Sequence, residues 1–139
     1  MTLAAAYESV RVLLARGILA SRVYDSVRKN GATAVRDNYA VLIDETPRRE
    51  RHRYTVLQLV DGRMRHRFDV RSVSTSTGGR RMYQDAVSTN LIGEVPQIAG
   101  RVCTAIEMVD PIEEGMPKYD QNADLYHVTD SFQFWSDPA

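Results

Sequence analysis

The chain has 139 residues, of which 43% are hydrophobic and 26% charged. This length predicts one domain with its own core and is too short for two ordinary domains, so we expect a single domain over 1–139. No apolar run approaches the ~20 residues of a membrane span. Glu8 and Arg11 interrupt the apolar N-terminal run, so no signal peptide is predicted. Cys103 is the only cysteine, which excludes an intrachain disulfide and fits a cytosolic origin.

The net charge is zero, but the charges are segregated along the chain. From Arg48 to Arg81, ten arginines stand against three acids, a net of +7. From Ile106 to Ala139, eight acids stand against Lys118, a net of −7. Such segments can pair within one chain or between copies, and the asymmetry concerns association rather than fold. Arginine suits interface ion pairs better than lysine, although genome composition explains the 16 arginines equally well.

The first predicted element is a helix from Thr2 to Arg16, which Thr2 can cap and which Gly17 can end in a left-handed turn. Its apolar residues recur at three- and four-residue steps: Leu3, Tyr7, Val10 and Leu14, with Ala6 and Leu13 beside them. Arg22–Arg28 then has weak strand character, and "KNGA" is a turn signal. Asn38–Asp44 is a stronger strand, with apolar residues on alternating faces: Tyr39, Val41 and Ile43 on one, Ala40 and Leu42 on the other.

The middle of the chain predicts a polar loop and a hairpin. Glu45–Arg53 is too charged to be core. Tyr54–Val60 is apolar on both faces and predicts a central strand. "DGRM" at Asp61–Met64 signals a tight turn, so Arg65–Ser74 is predicted to be the return strand of a hairpin, with Phe68 and Val70 facing inward.

A glycine-containing loop, "STSTGGRR", leads from this strand into a predicted helix over Arg81–Ile92, which Gly93 ends. Its apolar side contains four residues: Tyr83, Ala86, Val87 and Leu91. The loop lacks the Walker and dinucleotide spacings. A phosphate site at the helix start stays open, but a plain connection capped by Ser76 or Thr77 is favoured. Arg80 and Arg81 fall in the first turn, where the helix dipole disfavours cations, so we expect them to face an acidic neighbour.

The C-terminal third predicts two further extended segments. "EVPQIAG" is a connector, and Arg101–Val109 alternates through Val102, Thr104, Ile106 and Met108. Asp110–Ala123 is a polar loop. In the strand Asp124–Trp135, four residues face inward, with Asp130 as the polar exception: Tyr126, Val128, Phe132 and Phe134. The predicted fold class is α+β, with two helices packed on one mostly antiparallel sheet.

No spacing of residues predicts a catalytic site, a cofactor site or a metal site. His52, His66 and His127 lack metal-ligand spacing and are interpreted as solvated or interfacial. Cys103 is interpreted as a small buried hydrophobe. The acids of the C-terminal loop lack the calcium-loop pattern: Glu113, Glu114, Asp120 and Asp124. We therefore predict that the protein is not an enzyme, although a site assembled by folding leaves no signal in the sequence.

The run "PRRERHR" contains four arginines: Arg48, Arg49, Arg51 and Arg53. Three interpretations stay open: a solvated loop, a nucleic-acid patch and an arm that docks on an acidic surface. Basic patches bind phosphates without sequence preference, but this run lacks the stacking aromatics usual in single-strand binding. Because the same chain ends in a −7 segment, the docking arm is favoured over nucleic acid.

The order of elements resembles the tail-terminator (tail completion) proteins of long-tailed, non-contractile bacteriophages. The resemblance rests on "RYTVLQLV", "HRFDVRSVSTST", "GGRRMYQDAVSTNLIG", "GRVCTAIEMV" and "NADLYHVTDSFQFWS", and it covers nearly the whole chain. It is most specific over Phe68–Gly93 and Asp124–Trp135. The arginine-rich composition suggests a phage of a high-GC host such as an actinobacterium.

This resemblance implies a small α+β subunit without catalytic residues. Such subunits close into a homohexameric ring that caps the tail tube, stops its polymerisation and meets the head-side connector. The implied partners are further copies, the major tail tube protein and a head-closure protein, with genomic DNA passing through the lumen and no membrane. The implied location is the head–tail junction of the virion, after assembly in the host cytoplasm. The charge pattern, not the resemblance, names the candidate interface residues: Arg48, Arg49, Arg51, Arg53, Arg80, Arg81, Glu113 and Glu114.

Two alternatives to a tail terminator stay open. The first is another joint of the virion, which is a head-closure or neck protein or a tube subunit. The second is a small DNA-binding or regulatory protein that uses the arginine loop.

Overall fold

The computed structural model describes residues 3–25, 29–30, 33–34, 37–44, 64–109 and 117–139. Within these residues the elements are α1 (Leu3–Leu14), a 3-10 helix (Gly17–Leu19), β1 (Val23–Tyr24), β2 (Lys29–Asn30), β3 (Thr33–Ala34), β4 (Tyr39–Asp44), β5 (Met64–Ser74), α2 (Thr77–Leu91), β6 (Arg101–Cys103), β7 (Glu107–Val109), β8 (Lys118–Asp120) and β9 (Leu125–Pro138). The predicted α+β class is confirmed.

The main sheet of the described residues has the order β1-β4-β5-β9-β6, and β7 and β8 also pair with β9. β1 runs parallel to β4, and the other pairs are antiparallel. β2 and β3 form a separate two-stranded ladder. The 14-residue β9 therefore has β5 along one edge and three short strands along the other.

The sequence predicts that Arg65–Ser74 pairs with Tyr54–Val60 in a hairpin. This pairing is wrong over Phe68–Val73. Here β5 has β4 on one side and β9 on the other, so no edge is left for Tyr54–Val60. That segment lies outside the described residues. Phe68 and Val70 do face inward as predicted, because alternate residues of β5 point toward the helices and both are buried.

The core lies between the sheet and the two helices. α1 contributes residues at three- and four-residue steps, from Ala6 to Leu14, and Gly17 takes a positive φ of 59° as predicted. α2 contributes its predicted apolar stripe, and aromatic rings of β5 and β9 pack beneath it. The apolar members of this layer are Ala6, Val10, Leu13, Leu14, Leu19, Ala40, Leu42, Phe68, Val70, Tyr83, Val87, Leu91, Ile98, Ile106, Phe132 and Phe134.

The alternation predicted for Asn38–Asp44 is confirmed. Ala40 and Leu42 belong to the core under the helices, whereas Tyr39 and Val41 belong to a smaller cluster on the opposite face. Val73 and Leu125 complete that second cluster. Both faces of β4 are therefore covered by apolar packing.

The segment Arg101–Val109 is not one strand, because a bulge divides it into β6 and β7. Cys103 lies opposite Ser136 and Glu107 lies opposite Gln133, so β6–β7 has one residue more than β9 across this gap. Ile106 turns away and pairs with the connector, since its N–H donates to the carbonyl of Glu94 at 2.8 Å. The bulge thus moves Ile106 into the core and leaves Val102 and Met108 exposed.

The polar loop predicted over Asp110–Ala123 contains a strand that its composition did not indicate. β8 pairs with the start of β9, with Tyr119 opposite Tyr126. All three residues of β8 are exposed, so the strand shows no apolar alternation. Residues 110–116, with Glu113 and Glu114, lie outside the described part of the chain.

Candidate functional site

The N-terminal turn of α2 is the part of the predicted interface that the structure describes. The helix begins at Thr77, four residues before the predicted start, and Ser76 caps it by accepting a hydrogen bond from the N–H of Gly79 at 3.0 Å. The glycines of "STSTGGRR" therefore lie inside the helix and do not form the turn before it. A Cβ at position 79 would lie 2.2 Å from Oγ of Ser74, so any side chain there would force the Ser74 hydroxyl to move.

Arg80 is buried within the subunit, contrary to the expectation that it faces a neighbour. Arg80 is 6% exposed, and its Nη1 donates to Oε1 of Gln84 at 3.3 Å. Gln84 in turn donates from Nε2 to Oδ2 of Asp130 at 3.2 Å. Nε of Arg80 is buried and has no acceptor among the residues that the structure describes. A glutamine amide thus links a buried cation on α2 to the polar exception on β9.

Asp130 is the carboxylate at the sheet end of this chain of contacts. It is 9% exposed and lies opposite Val70, beneath α2. Burial raises its pKa above the ordinary value, and the hydrogen bond from Gln84 acts in the opposite direction. We therefore call Arg80, Gln84 and Asp130 the α2–β9 relay.

Arg81 points away from the relay and is exposed. Within the described part of the chain it makes no hydrogen bond or ion pair, and Asp85, one turn further on, lies beyond 4 Å. The N–H groups of Thr77 and Gly78 also have no acceptor there, as at any helix start. A Cβ at Gly78 would meet nothing within 4 Å.

Three further arginines of the basic segment lie on the sheet face opposite the helices. Arg65, Arg67 and Arg71 alternate along β5, so their side chains share that face with Asp69, and all are half-buried. Three contacts reach across to β9: the guanidinium of Arg65 lies 5.9 Å from the Trp135 ring centroid, Arg71 Nε donates to Thr129 at 3.2 Å, and Asp69 accepts from Ser131 at 2.7 Å.

His66 belongs to the other face of β5, and the expectation that it is solvated or interfacial is wrong. It is 6% exposed and stacks on Phe134 with the ring centroids 4.6 Å apart. Its Nε2 lies 2.9 Å from Oγ of Ser136, which also accepts from Arg101. Burial, and then the charge of Arg101, lower the pKa of His66 to about 4. This cluster joins β5, β9 and β6.

The β8–β9 hairpin forms an exposed acidic tip over Tyr119–Asp124. Oδ1 of Asp120 accepts from the N–H groups of Asn122 and Ala123, and the Tyr119 hydroxyl donates to Oδ1 of Asp124 at 2.6 Å. Asp124 has a positive φ of 54°. The tip carries two carboxylates and no cation; Lys118 precedes it.

The structure brings Arg80 and Arg81 together in one helical turn. The other arginines of the predicted interface, in the segment 48–53, lie outside the described residues, as does His52. His127 is half-buried, and burial and then Arg71 lower its pKa. Cys103 is half-buried and packs against the core, which raises the pKa of its thiol.

Two further features of the described residues concern metal ions and membranes. None of their histidines, cysteines and acids form a group of three able to hold a metal ion. No helix there is long and apolar enough to cross a membrane.

Comparison with solved structures relates the whole fold to a virion component. A chain of the structure described as "Virion of native gene transfer agent (GTA) particle" is similar to this chain with a TM-score of 0.67. The match covers 98% of this chain and 99% of that chain, at 15% sequence identity. At this identity the likeness shows a shared fold. No protein-family model matches the chain, and no curated protein matches it in sequence.

Proposed function

We propose that the protein is a structural virion component that forms a ring at the head-proximal end of a phage tail tube. The ring stops tube polymerisation and joins the tail to the head connector, and genomic DNA passes through its lumen. The observation that carries this proposal is the end-to-end likeness to a chain of a gene transfer agent virion. The tail-terminator resemblance of the sequence supports the specific position.

The distribution of charge supports self-assembly into a ring. A ring built from identical subunits uses two different, complementary patches on each copy. The basic segment and the acidic segment, with net charges of +7 and −7, have the opposite signs that such a contact needs. We assign the protein a structural and not a catalytic role, in a homohexamer that contacts the tube protein on one face and a head-closure protein on the other.

Co-expression with the major tail tube protein of the same phage tests this function. Negative-stain microscopy is expected to show tubes of limited length, each with one ring of this protein at one end. The protein alone is expected not to stack. Long stacks of the protein itself would assign it to the tube subunits, and binding to the head connector without binding to the tube would assign it to head closure.

A mobility-shift assay separates this role from DNA binding by the arginine loop. A DNA-binding protein is expected to retain duplex DNA at low salt and to lose it steeply as salt rises. The structural role predicts no retention by the isolated subunit.

A further inference from the structure

We propose that the N-terminal turn of α2 binds the acidic β8–β9 tip of a second copy of this chain. This inference rests on the proposed function, since it names the contact between neighbouring subunits of the ring. The two surfaces are Thr77–Arg81 on one copy and Tyr119–Asp124 on the next.

Among the described residues, the turn of α2 has no acidic partner. It contains two arginines and no acid, and the positive end of the helix dipole adds to their charge. Arg81 is exposed and unpaired within the described residues, and Nε of the buried Arg80 has no acceptor. A carboxylate placed above this turn would offset the helix dipole and the charge of the exposed Arg81.

Gly78 gives this surface a second feature. Gly79 is explained inside the subunit by its close approach to Ser74, but a side chain at 78 would meet open space. Glycine inside a helix costs about 1 kcal/mol relative to alanine, and nothing in the described structure requires it here. Close approach of another backbone, such as the tip of a hairpin, accounts for it.

The acidic tip has the complementary charge and an exposed shape. Asp120 and Asp124 use Oδ1 to hold the turn, which fixes the direction of both carboxylates. The neighbouring Gln121 and Asn122 are exposed. The phosphate backbone of DNA is the competing occupant of the basic turn. The acidic tip, however, is present on every copy, and a ring makes its local concentration at the neighbouring turn high.

The two surfaces lie at the same end of the sheet. Ser74, the last residue of β5, is opposite Tyr126, so α2 begins where the β8–β9 tip ends. Surfaces at the same height along the strands can meet between copies related by rotation about an axis along the strands, which is the arrangement that a closed ring needs. Within one subunit no ion pair joins Arg80 or Arg81 to the tip among the described residues.

Directed cross-linking tests the contact. In a Cys103→Ala background, one sample carries Thr77→Cys and a second carries Asn122→Cys. Mixing and mild oxidation are expected to give a covalent dimer, and a chain with both changes is expected to give a ladder of covalent oligomers. The control mixture pairs Thr77→Cys with Ile92→Cys, an exposed position at the C-terminal end of α2. A yield no higher than in the control overturns the proposal.

Charge exchange gives an independent result. Arg81→Glu is expected to lower the yield of the mixed cross-link on the order of tenfold, because an attraction becomes a repulsion. Adding Gln121→Lys to the partner is expected to restore it. Retention of duplex DNA that Arg81→Glu abolishes, together with no cross-link, would assign the turn to phosphate and overturn the contact.

The tube-capping experiment separates this inference from the proposed function. One outcome is that the Arg81→Glu protein still forms rings that cap tubes, and that Thr77→Cys and Asn122→Cys give no cross-link when Arg81 is retained. That outcome shows that the contact is wrong while the function stands. A specific cross-link in a protein that does not cap tubes supports the self-contact and overturns the function.

Discussion

Oγ of Ser136 lies 2.9 Å from Nε2 of His66 and 2.9 Å from Nε of Arg101. Because a guanidinium only donates, the hydroxyl accepts from Arg101, and it can still either accept from Nε2 of His66 or donate to it. Burial and the charge of Arg101 lower the pKa of His66 to about 4. The cluster that joins β5, β9 and β6 therefore contains a neutral histidine near pH 7.

Acid is expected to weaken the fold through His66. Its pKa is about 4 in the folded chain against 6.5 in an unfolded one, so the unfolded state binds the proton first as pH falls. Stability from this residue is complete above about pH 6.5 and declines toward pH 4, by about 3 kcal/mol in all. Urea unfolding at a series of pH values between 7 and 4 measures it.

His66→Gln is the matched control, because the amide oxygen can accept from Ser136 without titrating. The variant is expected to lose stability less steeply over the same range. His127, whose pKa is also lowered, and Asp130, whose raised pKa acts with the opposite sign, are common to both proteins. An identical slope in wild type and variant would contradict the assignment.

Breaking the α2–β9 relay is expected to destabilise the subunit. Gln84→Leu removes both amide contacts and leaves Arg80 and Asp130 buried without them, which costs about 2 kcal/mol. The midpoint of urea unfolding should fall accordingly. Thr89→Leu, at an exposed position of the same helix, should change stability little; equal effects from the two would show that the relay contributes nothing.

The adjacent glycines of α2 are expected to respond in opposite directions to alanine. At Gly79 the added carbon meets the Ser74 hydroxyl at 2.2 Å, so that hydroxyl must move from its hydrogen bond with Asn38, at about 1–3 kcal/mol. At Gly78 it meets open space, and alanine is expected to stabilise the isolated subunit by up to about 1 kcal/mol. Thermal unfolding of the two variants compares them; a loss at both positions would exclude this explanation.

Reversing the arginine run is expected to weaken assembly. Arg48, Arg49 and Arg51 changed together to Glu place three acids where we propose a contact with the acidic C-terminal third of a neighbouring subunit or of a tube protein. Ring yield and tail length measure the effect. The triple change to Lys keeps the charge and should assemble; normal rings and normal tail length in the Glu variant would rule out this role for the run.

Local periodicity predicted the elements whose apolar residues recur at a regular step. α1, β4, β9 and the apolar stripe of α2 all follow it. The partners of β5 were not predictable in this way, because pairing between Met64–Ser74 and Leu125–Pro138 joins segments far apart in sequence and leaves no local pattern. β8 was missed because its three residues are all exposed.

The burial of two polar residues was missed, because they were interpreted from the charges beside them. Their positions in the period of β5 and of α2 did indicate burial. His66 is flanked by arginines, but it is two residues from Phe68 and therefore on the inward face of β5. Arg80 is three residues before Tyr83 and seven before Val87, which places it on the apolar stripe of α2. In both cases the period of the element decided burial, and the charge of the adjacent residues did not.

The position of β9 determines when the subunit can become functional. β5, β6, β7 and β8 all pair with this one strand, which is synthesised after them. A nascent chain that stops before Leu125 can form helices and the β4–β5 pair. It lacks the strand that packs beneath α2 and cannot form the β8–β9 hairpin. Domains fold as units once their last element leaves the ribosome. Chains truncated before Leu125 are therefore expected to lack a closed core and to be unable to take part in the proposed assembly.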